Sequence, residues 1–202
     1  MQYTWTVPHD VQGYINLAGK KLFEKRLDDL FTVELPDDIP GAHDIQGRIG
    51  GYWHGNEPCH HIAYLYNYLG KPWKCQKWIR EIVARFYGNE PGSLSGNDDC
   101  GQMSAWYVLA AAGIHPICPG DGRYEITSPV FDRVEFRLDP AYAAGGSFVI
   151  EARDNSPENI YIQSATLNGK KYDKCYLTHD DLAAGGTLVL QMGAKPSDWG
   201  KD

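Results

Sequence analysis

The feature that most constrains the fold is a change of hydrophobic period near residue 120. Before it, apolar residues recur three and four apart: Val11, Tyr14, Ile15, Leu17 and Ala18, then Leu22, Phe23, Leu27, Leu30 and Phe31 beyond Gly19. That spacing predicts two helical segments within 10–34. A third helix is expected from Pro58 to Gly70, a fourth around Trp73 to Phe86, and a fifth around Met103 to Ala110, stopped by Gly113 and Pro116. Between Pro36 and Gly55 the chain is rich in Asp, Gly and Pro and reads as a long loop. After Pro119 the period becomes two, in the runs 124–126, 133–138, 147–152, 160–167 and 187–192, with turn signals at Gly145-Gly146, Asn168-Gly169 and Gly185-Gly186. The expected fold class is therefore α+β, with a helical part over about 1–120 and an antiparallel, sandwich-like β part over about 121–202.

Charge and composition narrow the function classes. The chain has 202 residues, with 19 Lys and Arg against 26 Asp and Glu, a net charge of -7. No basic field exists to attract nucleic acid. No apolar stretch approaches the roughly 20 residues of a membrane span, and the N-terminus does not read as an export signal. The five cysteines, Cys59, Cys75, Cys100, Cys118 and Cys175, are odd in number and contain no C-x-x-C. They read as free thiols rather than a zinc ribbon or a disulfide framework.

Side chains suited to catalysis concentrate in three segments, each just before a helix: Pro8-His9-Asp10, the run from Trp53 to His61, and the run from Gly96 to Gln102. Three helix starts on one rim would bring His9, Asp10, Glu57, His60, His61, Asp98 and Asp99 around one cavity. The plain alternative is helix capping by Asp10, Asn56 and Asp98 or Asp99. Aromatic rings beside carboxylates and histidines suit a sugar, and Trp5, Trp53, Trp106 and Tyr107 are the candidates, with helix packing the competing role for Trp106. Metal chemistry has two readings. His54, His60 and His61 with Glu57 are zinc ligand types at a spacing no metalloprotease uses, whereas Asn56 and Glu57 suit a hard cation such as calcium.

The segments W-H-G-N-E-P-C-H-H-I-A-Y-L-Y-N-Y-L-G-K-P-W-K at 53–74 and G-N-D-D-C-G-Q-M-S-A-W-Y-V at 96–108 strongly resemble signature segments of the calcium-dependent exo-α-mannosidases of glycoside hydrolase family 92. Q-Y-T-W-T-V-P-H-D at 2–10, N-S-P-E-N-I-Y-I-Q-S-A-T-L-N-G-K at 155–170 and the closing M-G-A-K-P-S-D-W-G are similar to further segments of that family. The resemblance implies the closing helices of an (α/α)6 barrel followed by a β region. It also implies removal of terminal α-linked mannose, often α-1,2-linked, from N-glycans or mannans with inversion. Asp99 matches the family's general base, with Asp98 beside it. Glu57 and Asn56 fall in the segment that holds calcium and sugar, and Trp53, His60, His61, His9 and Asp10 are carried over as substrate-site residues. Asn97 stands where relatives often have Asp, which puts the burden of the base on Asp99.

The family's general acid is a Glu shortly before the Q-Y-T-W segment, so the resemblance implies the C-terminal portion of a longer, exported mannosidase. The isolated chain is then expected to turn over mannobiose little or not at all, unless Glu57 or another carboxyl acts as the acid. Its expected partners are a mannose-containing oligosaccharide and the N-terminal part of the same enzyme. The alternatives are a carbohydrate-binding or complementing module and a zinc hydrolase on His54, His60 and His61.

Overall fold

The structure, a computed structural model, describes residues 2–36 and 46–201. Turns of 3-10 helix at Gln2–Trp5 and Pro8–Asp10 lead into α1 (Val11–Ala18) and α2 (Lys20–Thr32). Gly19 separates them with φ 82, a conformation L side chains avoid. Asp10 caps α1 by accepting the Gly13 N–H at 2.9 Å. On α2, Phe23, Leu27, Leu30 and Phe31 turn inward, as their spacing predicts.

The stretch read as a loop contains a small hairpin, β1 (Arg48–Ile49) with β2 (Tyr52–Trp53). Its two-residue turn is Gly50-Gly51, a strong hairpin signal that the surrounding Gly, Asp and Pro residues obscure. Residues 37–45 of that loop lie outside the described residues. The expected helix from Pro58 to Gly70 is broken into 3-10 turns at Glu57–Cys59 and Ile62–Tyr64 and one turn of α-helix, α3 (Leu65–Tyr68). Residues 59–67 are buried throughout, so packing on every side sets the backbone rather than one amphipathic face. Then come α4 (Pro72–Phe86) and α5 (Gln102–Ala112), the latter between left-handed Gly101 and Gly113. The helical core is aromatic: Phe31 lies between Tyr52 at 4.9 Å and Trp78 at 4.7 Å, and Trp106 is wholly buried.

The β part comprises β3 (Ile114–His115), β4 (Arg123–Ile126), β5 (Arg133–Arg137), β6 (Ser147–Arg153), β7 (Tyr161–Leu167), β8 (Lys170–Lys171), β9 (Tyr176–Thr178) and β10 (Gly186–Gly193), with α6 (His179–Ala183) before the last strand. One sheet runs β5-β6-β10-β7-β8 and a second runs β3-β4-β9. Ile114, Ile126 and Leu177 of the small sheet share a core with Phe148, Ile150, Leu188 and Leu190 of the large one. The sheets are antiparallel except for one pair, since β10 runs parallel to β6. β10 inserts between β6 and β7, antiparallel to β7 and parallel to β6. Side-chain alternation is the same in either direction, which is why spacing does not reveal it.

The two parts are fastened together. Asn67 Nδ2 donates to Glu125 at 2.8 Å and to the carbonyls of Ile126 and Cys175 at 3.2 Å. Gln76 accepts the Ile162 N–H at 3.0 Å, and β3 carries the end of the helical part into the small sheet.

Candidate active site

Glu57 opens the 3-10 turn after β2, with Pro58 behind it. Its neighbour Asn56 makes no capping bond, and its amide lies 4.0 Å from Cys59 Sγ. Glu57 Oε1 is buried without a hydrogen-bond partner. Backbone packing brings the opposite segment close: His54 and Gly55 donate to the carbonyls of Gly47 and Gln46, and Gly55 abuts Ser95 so tightly that a side chain there would collide.

Asp98 and Asp99 divide two tasks. Asp98 Oδ1 accepts the Ser104 N–H at 2.9 Å and its carbonyl accepts from Gly101 and Met103, so it caps α5. Asp99, Cys100 and Gly101 then follow with φ of 44, 60 and 89. Two successive non-glycine residues in the left-handed region are costly, roughly 1–3 kcal/mol each, and such strain clusters at functional sites. The outcome is an exposed Asp99 side chain directed at Glu57.

Burial raises the Glu57 carboxyl above its usual range, and the adjacent Asp99 carboxylate raises it further. Two neighbouring carboxyl groups of this kind are chemically suited to share a proton or a cation.

Of the histidines expected on the rim, His60 and His61 turn inward, as does His54 of the zinc reading. His54 is wholly buried, with Nδ1 2.9 Å from Tyr52 Oη and Nε2 2.6 Å from Tyr87 Oη. His60 Nε2 lies 3.0 Å from the His54 carbonyl, and Nδ1 faces Gln102 at 3.3 Å. His61 Nε2 holds the Trp5 carbonyl at 2.7 Å. Burial is the main reason their basicity falls: His54 to about 2 and His60 to about 4, each lowered further by neighbouring imidazoles, and His61 in the same direction. Both ring nitrogens of His54 and of His60 already have partners, so no lone pair remains for zinc. Among the described residues no three His, Cys, Asp or Glu side chains converge as metal ligands.

The other candidates separate. His9 and Asp10 are exposed, and Asp10 is occupied as a cap. Of the four aromatic candidates, Trp5 and Trp106 belong to the core, and Trp106 Nε1 donates to the His60 carbonyl at 3.2 Å. Trp53 and Tyr107 are half-buried and keep surface for a ligand. Spacing overlooks Tyr87, which lies in neither motif segment yet bridges them, and only its place next to the Gly88 loop marks it. A groove of about 520 Å³ lies elsewhere, lined by Lys77, Arg80 and Tyr161. Arg80 is occupied there by the Pro129 and Ser156 carbonyls, so the groove is a seam between the helical and β parts.

A calcium ion would need six to eight oxygen ligands. Glu57, with its unpartnered oxygen, and Asp99 fit as two carboxylate ligands of such an ion. Among the described residues no third His, Cys, Asp or Glu joins them.

Residues 1–194 match the glycosyl hydrolase family 92 catalytic domain. The chain is 62% identical to the family GH92 alpha-mannosidase BT3965 from Bacteroides thetaiotaomicron, solved in complex with mannoimidazole, with a TM-score of 0.93 over 98% of this chain and 26% of that one. The family GH92 inverting mannosidase BT2199 of the same organism is 36% identical, with a TM-score of 0.84 over 100% of this chain and 28% of that one. An uncharacterized secreted glycosidase of Arthroderma benhamiae is 33% identical over 96% of this chain and 23% of its own length. The chain thus spans about a quarter of each of these relatives.

Proposed function

Because this chain belongs to glycosyl hydrolase family 92, we propose that it carries one pole of the catalytic site of an exo-α-mannosidase, acting on terminal α-linked, chiefly α-1,2-linked, mannose with inversion. The observation that carries this reading is the Glu57–Asp99 pair, held by a strained turn at the surface. In the proposed reaction Asp99 takes a proton from the attacking water as it adds to the anomeric carbon, and Glu57 accepts from sugar hydroxyls. Glu57 and Asp99 would hold a calcium ion, which would supply positive charge beside them and coordinate sugar hydroxyls. Trp53 and Tyr107 offer ring surface for the apolar face of the sugar.

The general acid is proposed to come from another segment of a longer, exported protein, whose further helices complete an (α/α)6 barrel. Leaving-group protonation is worth roughly 100- to 10,000-fold, so the isolated chain should bind a mannose-like ligand better than it turns over mannobiose.

Calorimetric titration of mannoimidazole into the chain, with calcium, tests the reading. Binding that Asp99→Asn abolishes supports it. No binding, or equal binding by the variant, contradicts it.

A further inference from the structure

Tyr87 stands outside both motif segments, yet its hydroxyl joins them. Tyr87 Oη is 2.6 Å from His54 Nε2 and 3.2 Å from the Met103 carbonyl oxygen. A carbonyl can only accept, so the single phenolic proton goes to Met103, and Tyr87 must accept from His54 Nε2–H. A neutral imidazole has one N–H. With that proton on Nε2, Nδ1 is an acceptor, and the Tyr52 hydroxyl 2.9 Å away donates to it. His60 repeats the pattern, donating from Nε2 to the His54 carbonyl and accepting from Gln102 at Nδ1.

Proton counting thus yields a chain with one direction, Tyr52 to His54 to Tyr87 to Met103. It begins on β2 and ends in the first turn of α5. His54 is three residues ahead of Glu57, and Met103 is four beyond Asp99. The Tyr87 ring is stacked on Trp106 at 5.7 Å and on Tyr107 at 4.8 Å, which leaves the hydroxyl little freedom to turn elsewhere.

We infer that Tyr87 is a positioning residue. Its hydroxyl fixes the first turn of α5, and with it the left-handed Asp99–Gly101 turn, against the segment that carries Glu57. The importance of this clamp for sugar chemistry rests on the function proposed above; the clamp itself does not.

Long-range proton–nitrogen spectra of the full chain with nitrogen-15-labelled histidine report the tautomer directly. The expected result is His54 protonated at Nε2, and protonation at Nδ1 overturns the inference even without a variant. Tyr87→Phe keeps the stacked ring and removes the hydroxyl. It should shift the His54 nitrogen signals and speed amide exchange at Gly101 and Ser104 by about three- to tenfold, the size of one hydrogen bond. Amides of β6 and β10 should not change. Unaltered exchange at Gly101 and Ser104 overturns the inference. If tautomer and exchange behave as expected while the unmodified chain ignores mannoimidazole, the clamp is upheld and the mannosidase reading fails.

Discussion

Gly55 sits so close to Ser95 that a Cβ on the glycine would stand 2.4 Å from the Ser95 carbonyl oxygen, and 2.8 Å from that of Gln46. Both obstacles are backbone and cannot swing aside. This contact brings the Glu57 segment against the one leading to Asp99. Gly55→Ala should therefore push the two apart and cost about 1–3 kcal/mol of stability. Urea unfolding measures it, and an unchanged midpoint would show that the two segments are not held by this approach.

The neighbouring aspartates should respond oppositely. Asp98→Ala removes the cap on Ser104 and should cost about 1 kcal/mol. Asp99→Asn should not lower stability, because Asn tolerates a positive φ and the change relieves the repulsion with Glu57. Thermal melts of the two variants compare them. A large destabilisation by Asp99→Asn would mean that Asp99 is structural.

The seam between the helical and β parts should be sensitive to removal of one charge. Glu125 is wholly buried and pairs with Arg123 at 2.5 Å, and the guanidinium lies between the rings of Tyr68 and Tyr176. Arg123→Met leaves Glu125 buried without its partner, at a cost of roughly 3–5 kcal/mol. Adding Glu125→Met should recover much of that loss. Denaturant titration of single and double variants tests it, and additive losses would contradict it.

Acid should destabilise the fold through its buried histidines. Folding lowers His54 to about 2, His115 to about 3 and His60 to about 4, burial being the main cause in each. The unfolded chain then binds more protons at every pH between those values and about 6.5. Stability is full above about 6.5 and falls as pH drops through this window, by up to about 1.4 kcal/mol per unit for each histidine. Urea midpoints at pH 7 and pH 5 should differ, and His115→Gln should reduce the difference. Equal midpoints would show that the imidazoles are not held neutral.

Much of the fold is legible in the spacing, because periods of 3.6 and 2 follow from how side chains leave a helix or a strand. Gly19 and Asn168-Gly169 mark breaks at which the backbone does take positive φ. The direction of β10 and the breakup of the helix at 58–70 are not legible, since both depend on what packs around them. The same holds for the site. Nearness to a motif points to Glu57 and Asp99, which the structure brings together. It points equally to His54, His60 and His61, whose imidazoles face inward. Residue type cannot show which way a side chain turns, and Tyr87 has no spacing signal at all.

In the function proposed above, Asp99 acts as the base of an inverting mannosidase site to which this chain contributes one pole. A hybrid in which this chain replaces the matching quarter of the BT3965 mannosidase tests it, with proton NMR of the sugar first released from α-1,2-mannobiose. The expected initial product is β-mannose, with a loss of at least about 100-fold on Asp99→Asn and the melting temperature retained. α-Mannose as the first product, or near-unchanged turnover by the Asp99→Asn hybrid, would contradict it.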